Sequence, residues 1–166
     1  MDANNRQPCV FCSIVEGHLP IAEVYQDENF LVLMDKYPIN EGHTLVIPKL
    51  HYDNLLLMPP EEVGRLYSLV AIIARSVVSA VNGDGFNVGQ NNGLAANQIV
   101  PHVHVHIVPR FKYDSPDGKW PSRRVGSFQE LVEVAQKIKS RVEPSRIERV
   151  MSEFACLQPA SPEEIL

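Results

Sequence analysis

Apolar and polar residues alternate most strictly between Pro101 and Pro109, where His102, His104 and His106 are interleaved with Val103, Val105, Ile107 and Val108. Period two is the repeat of a half-buried strand. The three imidazoles are therefore expected on one face, starting about 7 Å apart at the backbone, with the aliphatic residues turned to a core. Shorter runs predict strands at 23–26, 30–35, 43–47 and 85–88, separated by Asp27-Glu28-Asn29 and by Pro38-Ile39-Asn40-Glu41-Gly42. Between Pro60 and Val81 the period changes. Val63, Leu66, Tyr67, Val70, Ile73, Ala74, Val77 and Val81 recur at helical spacing, entered at Pro59-Pro60 and closed at Asn82-Gly83. A second helix is expected from Ser127, where Ser127 and Glu130 fit a capping box ahead of Leu131, Val132, Ala135, Ile138 and Val142; Ser145 and Glu148 repeat the pattern before Ile147 and Val150.

Composition narrows the class. The 166 residues fit one domain, and 15 basic against 20 acidic residues give a net charge of -5, which argues against a broad nucleic-acid surface. Residues 1–8 are polar and expected to be flexible, with no apolar core of a signal peptide. The apolar stretch from Leu66 to Val81 is broken by Ser68, Arg75, Ser76 and Ser79, so no membrane span and a cytoplasmic location are expected. Three cysteines make no paired framework, which leaves Cys9-x-x-Cys12 as a metal or redox pair.

Crowded imidazoles resist joint protonation, so a row of three loses more than it gains unless it binds or reacts. A neutral ring nitrogen can attack an electrophile when the other nitrogen is held as a donor, and His104, flanked on both sides, is the best placed nucleophile. Phosphorus with a good leaving group suits it, because imidazoles and amides can meet the charge on the transferred oxygens. The glycine-bearing polar segment 89–98 suits a loop that approaches a ligand closely. A His-x-His pair could instead hold a catalytic metal.

Pro101-His102-Val103-His104-Val105-His106-Ile107-Val108 resembles the His-φ-His-φ-His-φ-φ signature of the histidine-triad (HIT) family of nucleotide hydrolases and transferases. Gly42-His43-Thr44-Leu45-Val46-Ile47-Pro48-Lys49 is similar to its GHxLVIPK strand, and Asn91-Asn92-Gly93 with Asn97-Gln98-Ile99-Val100-Pro101 to its approach to the triad. Asn97 departs from the pattern, standing where glycine is commoner. The resemblance implies an α+β, HIT-like fold: an antiparallel sheet of about five strands, one long helix and a C-terminal helix. It divides the chain into a flexible 1–8, a HIT domain at 9–110 and an extension at 111–166 whose helices pack on it.

It further implies a hydrolase that releases a nucleoside monophosphate through a nucleotidyl-histidine intermediate, since His106 stands where transferases tend to carry glutamine. His104 resembles the nucleophile, His106 the contact to phosphate or leaving oxygen, and His43 the buttress of the triad. Asn91 and Gln98 resemble phosphate or leaving-group contacts, and Asp35 the carboxylate that meets the ribose hydroxyls. Cys9, Cys12, His51 and His102 form a Cys2His2 set suited to structural zinc, as in bacterial-type members. No organic cofactor is implied. A homodimer with joined sheets is implied, and the segment from Trp120 is expected to reach toward the partner. The competing readings are a metal-dependent hydrolase and a nucleotide-binding module without turnover.

Overall fold

Two short hairpin-linked strands begin the sheet, because Asp27 folds the turn between them. Its Oδ1 accepts the backbone N–H groups of Asn29 and Phe30 at 2.8 Å each, an Asx turn that joins β1 (Glu23–Gln26) to β2 (Phe30–Met34). The structure is a computed structural model that describes residues 9–115 and 119–155; the expected flexible segment 1–8 and the end of the extension lie outside the described residues. The remaining elements are α1 (Val10–Val15), β3 (Thr44–Pro48), α2 (Pro60–Val81), β4 (Gly85–Gly89), β5 (Val105–Arg110), α3 (Phe128–Lys139) and α4 (Pro144–Ala155). The five strands form one antiparallel sheet in the order β1-β2-β3-β5-β4, so the fold is the α+β one expected.

Both faces of the central strands are covered. Val32, Val46, Val105 and Ile107 point to one side, where Leu66, Leu69, Ile73 and Val77 of α2 and Ile138 of α3 are buried against them. Full burial of such a side chain is worth roughly 1.5–3 kcal/mol, so α2, although long and apolar enough to cross a membrane, has its apolar face satisfied in this core. Leu31, Leu33, Leu45 and Ile47 alternate to the opposite side and pack on Phe11 of α1. His106 pairs with Leu45 in the β3–β5 register and so shares that second face.

The helix ends show which local signals operate. Asn82 takes the left-handed conformation (φ 53°, ψ 43°) at the end of α2, while the Gly83 N–H closes on the Val78 carbonyl. Ser127 caps α3 by accepting the Glu130 N–H, but the Glu130 carboxylate pairs with Arg124, so only half of the expected capping box forms. The helix α4 starts at Pro144, which leaves Ser145 inside its first turn and not at the cap.

The largest departure lies in the histidine segment. A strand over the whole of 102–109 was expected, yet β5 begins only at Val105. Pro48 has no N–H to extend the ladder, and its carbonyl accepts the His102 ring at 2.8 Å. The Val103 N–H turns away to the Tyr52 carbonyl at 2.8 Å. His102 is thereby released from the row, and the three histidines are not equivalent.

Candidate active site

His104 stands one residue before β5 and is buried. Its Nδ1 lies 2.6 Å from the His102 carbonyl oxygen, which can only accept, so Nδ1 carries the proton and Nε2 keeps its lone pair. The Phe11 and His106 rings pack beside it, each with a centroid 5.1 Å away. Burial pushes its pKa below the usual 6.5, against the raising effect of the His102 carbonyl, so the ring is neutral near pH 7.

A second chain of partners fixes His43 and His106. The Ile39 N–H donates to His43 Nδ1 at 3.1 Å, so the proton of the neutral ring sits on Nε2. That nitrogen is 2.9 Å from His106 Nδ1 and donates to it, which leaves the outer His106 nitrogen as an N–H donor. Burial lowers the His43 pKa to about 4, and burial followed by the closeness of His43 lowers that of His106. This tautomer bears on the metal alternative. Asp35, His43 and His106 converge closely enough to surround an ion, but His43 has no lone pair to give it while Ile39 holds Nδ1 as acceptor.

Asp35 follows β2 and is buried beneath the cluster. Its Oδ1 accepts the Tyr37 N–H at 2.8 Å; its Oδ2 lies 3.4 Å from His43 Nε2 and 3.6 Å from His106 Nδ1. The same oxygen accepts Nη1 of Arg123 at 3.0 Å. Arg123 was not among the residues singled out in the sequence, because it falls in the extension; the only signal was a pair of adjacent arginines in an acidic chain.

The polar loop is built as a clamp. Gln98 is buried, its Oε1 accepting the Gly93 N–H at 2.6 Å and its Nε2 donating to the Asp53 carbonyl at 2.6 Å. Asn91 is exposed and donates to the Asn97 carbonyl at 3.3 Å. Asn97 itself has φ 61° and ψ 31°, a left-handed conformation that explains why glycine would serve there and why asparagine is tolerated. The segment around Trp120 folds back on its own domain: Arg110 stacks over the Trp120 ring at 5.3 Å, and Arg124 N–H and Gly126 N–H donate to the Pro38 and Lys36 carbonyls.

Cys9, Cys12, His51 and His102 meet at the other end of the segment, with all four ligand atoms within 4.8 Å of one another. Sγ of Cys9 is 3.4 Å from His102 Nδ1, and Sγ of Cys12 is 3.2 Å from His51 Nδ1 and 3.7 Å from His102 Nδ1. Sulfur and nitrogen ligands at tetrahedral zinc distances stand about 3.6 Å apart. The protons agree: His102 Nε2 donates to the Pro48 carbonyl and His51 Nε2 to Asp53 at 2.8 Å, so both Nδ1 lone pairs face the centre. Burial and the neighbouring Cys9 push the Cys12 thiol up to about 11, an arrangement that a dication would reverse.

Residues 16–113 match the HIT domain family. An adenylylsulfatase of Arabidopsis thaliana is 43% identical over 106 residues, covering 64% of this chain and 54% of that protein, so the chain spans little more than half of that relative's length. An adenosine 5'-monophosphoramidase of Schizosaccharomyces pombe is 34% identical over 135 residues, 81% of this chain and 98% of that one. Among solved structures, a zinc-bound histidine triad family protein from Mycobacterium smegmatis aligns with a TM-score of 0.72 at 37% identity, covering 88% of this chain and 97% of the other.

Proposed function

The chain belongs to the HIT domain family, and on that premise we propose that it hydrolyses adenylylated compounds, phosphoanhydrides or phosphoramidates, through a nucleotidyl intermediate on His104. The observation that carries this reading is the 2.6 Å bond from His104 Nδ1–H to the His102 carbonyl, which leaves a buried, neutral ring with its Nε2 lone pair free. The Nε2–phosphorus bond forms as the bond to the leaving oxygen or nitrogen breaks. The imidazolium that results keeps its Nδ1–H on the carbonyl, which stabilises the new charge.

His106 presents its outer N–H to the phosphate or the departing atom, because the Ile39–His43 chain keeps its inner nitrogen as acceptor. Water then attacks phosphorus, the N–P bond breaks, and the nucleoside monophosphate leaves with His104 restored. Asp35 serves the ribose through the lone pairs that its protein partners leave open. Asn91 is the exposed amide available to the phosphate or leaving group, and Gln98 acts there chiefly by holding the loop.

Cys9, Cys12, His51 and His102 would hold a zinc ion, which when bound ties α1 to the segment carrying the catalytic histidines. The protein's own part is to aim His102: its ring is anchored at Pro48, and its carbonyl faces His104. The homodimer is supported by β4, an edge strand with Phe86 and Val88 exposed. Turnover of adenylylsulfate and adenosine 5'-phosphoramidate by the protein and by His104→Ala tests the reading. Loss of turnover by at least about 10³-fold is expected; a variant that retains more than a tenth of the activity contradicts it.

A further inference from the structure

The catalytic cluster contains one full charge of each sign in contact. Burial keeps His43 and His106 neutral, and Asp35 is the carboxylate between them. The balancing cation is Arg123, which comes from outside the region that matches the family. Its placement is enforced by the backbone that follows it. The Arg124 N–H donates to the Pro38 carbonyl at 3.1 Å and the Gly126 N–H to the Lys36 carbonyl at 3.1 Å, which lays the extension along the turn after β2.

Only one end of the guanidinium is used. Nη1 donates to Asp35 Oδ2 at 3.0 Å and to the Tyr37 carbonyl at 3.2 Å, while Nη2 and Nε have no protein partner among the described residues. The side chain is 48% exposed although its carboxylate partner is buried. A guanidinium held this way is a fork with its free tines outward, suited to anionic oxygens. A site whose imidazoles are neutral and whose carboxylate is negative would repel a nucleotide without such a cation.

We propose that Arg123, delivered by the C-terminal extension and positioned by Asp35 and the Tyr37 carbonyl, is a substrate-binding residue that takes a phosphate oxygen of the bound nucleotide. The inference rests on the nucleotide-hydrolase reading above and adds a contact to it. It also gives the extension a function: the strap completes the charge balance of a site otherwise built from the family domain.

The test is a cycle between ligand charge and side chain, read by calorimetric titration of adenosine and of adenosine 5'-monophosphate into the protein, Arg123→Gln and Arg123→Lys. Arg123→Gln should weaken the monophosphate at least about tenfold more than adenosine, and Arg123→Lys should recover part of that difference. Equal losses for both ligands, or no loss for either, overturn the inference: the arginine would then only hold the strap or only neutralise Asp35. Thermal melting of each variant identifies a loss due to unfolding, and in that event Arg123→Lys, which keeps the charge, decides by the same comparison. If the unaltered protein binds neither ligand and turns over no adenylylated substrate, the proposed function fails as well. Turnover that persists while the two ligands lose equally removes the Arg123 contact alone.

Discussion

Acidification should unfold this protein earlier than its surface charges alone would, and His43 supplies a measurable share. The ring is fully buried and accepts the Ile39 N–H through Nδ1, so protonating it means breaking that bond and charging a desolvated ring. Burial is the main cause of a folded pKa of about 4 against the ordinary 6.5; nearby Asp35 resists the shift and Arg123 adds to it. The unfolded chain takes up this proton below about pH 6.5 and the folded chain only near pH 4, so the unfolded state binds more protons throughout the interval. The stabilisation is complete above pH 6.5 and is lost as pH falls toward 4, by about 3 kcal/mol for this group. Urea unfolding at about pH 7 and about pH 4.5, compared between the protein and His43→Gln, isolates the effect. His102 and His104, whose pKa values are also depressed, cancel in the comparison, whereas His106, lowered in part by the closeness of His43, is relieved in the variant and adds to the difference in the same direction. The variant should be less stable at neutral pH and should lose about 2–3 kcal/mol less on acidification. Identical losses in both proteins refute the assignment of a neutral, Ile39-bonded His43.

Three further outcomes follow from the same geometry. His51→Ala should lower the zinc content of the purified protein and its thermal midpoint, and brief chelation should leave the initial rate of folded enzyme intact; immediate loss of turnover would instead make the metal catalytic. Gly42→Ala should destabilise by about 2–4 kcal/mol in urea titration, since φ is +83° and the new Cβ would meet Pro109 and Val81 side-chain atoms at 3.0 Å. Sedimentation should give a mass near 37 kDa, about twice the 18.6 kDa chain, and a monomeric mass would remove the role assigned to β4.

Much of the fold was legible because its signals are periodic. The 22-residue α2 appears over the span that its apolar spacing predicts, and four strands fall within a residue or two of their expected bounds. The histidine strand was over-read for a physical reason: alternation reports which side a residue faces, not whether its backbone is paired. Pro48 and the turn of Val103 toward Tyr52 end the ladder early, and neither is visible in a pattern of apolar residues. Short motifs pointed to the proposed nucleophile and to the four sulfur- and nitrogen-bearing side chains that the fold brings together, because the residue types themselves carry the chemistry. What surrounds them was not legible. Arg123 lies 88 positions from Asp35 and Asp53 reaches His51 only through a tight turn, so these partners emerge only once the chain has folded. The Ser145 capping pattern failed because Pro144 occupies the first helical position.

The central claim is that His104 Nε2 becomes bonded to phosphorus during turnover. Rapid acid-free quenching of the protein with an adenylylated substrate labelled at the α-phosphorus, followed by proteolysis and mass spectrometry, tests it directly. The account predicts a transient AMP adduct on His104, formed faster than the steady-state rate and absent in His104→Ala. An adduct on His106 or His102, or full turnover with no adduct on any residue, contradicts it.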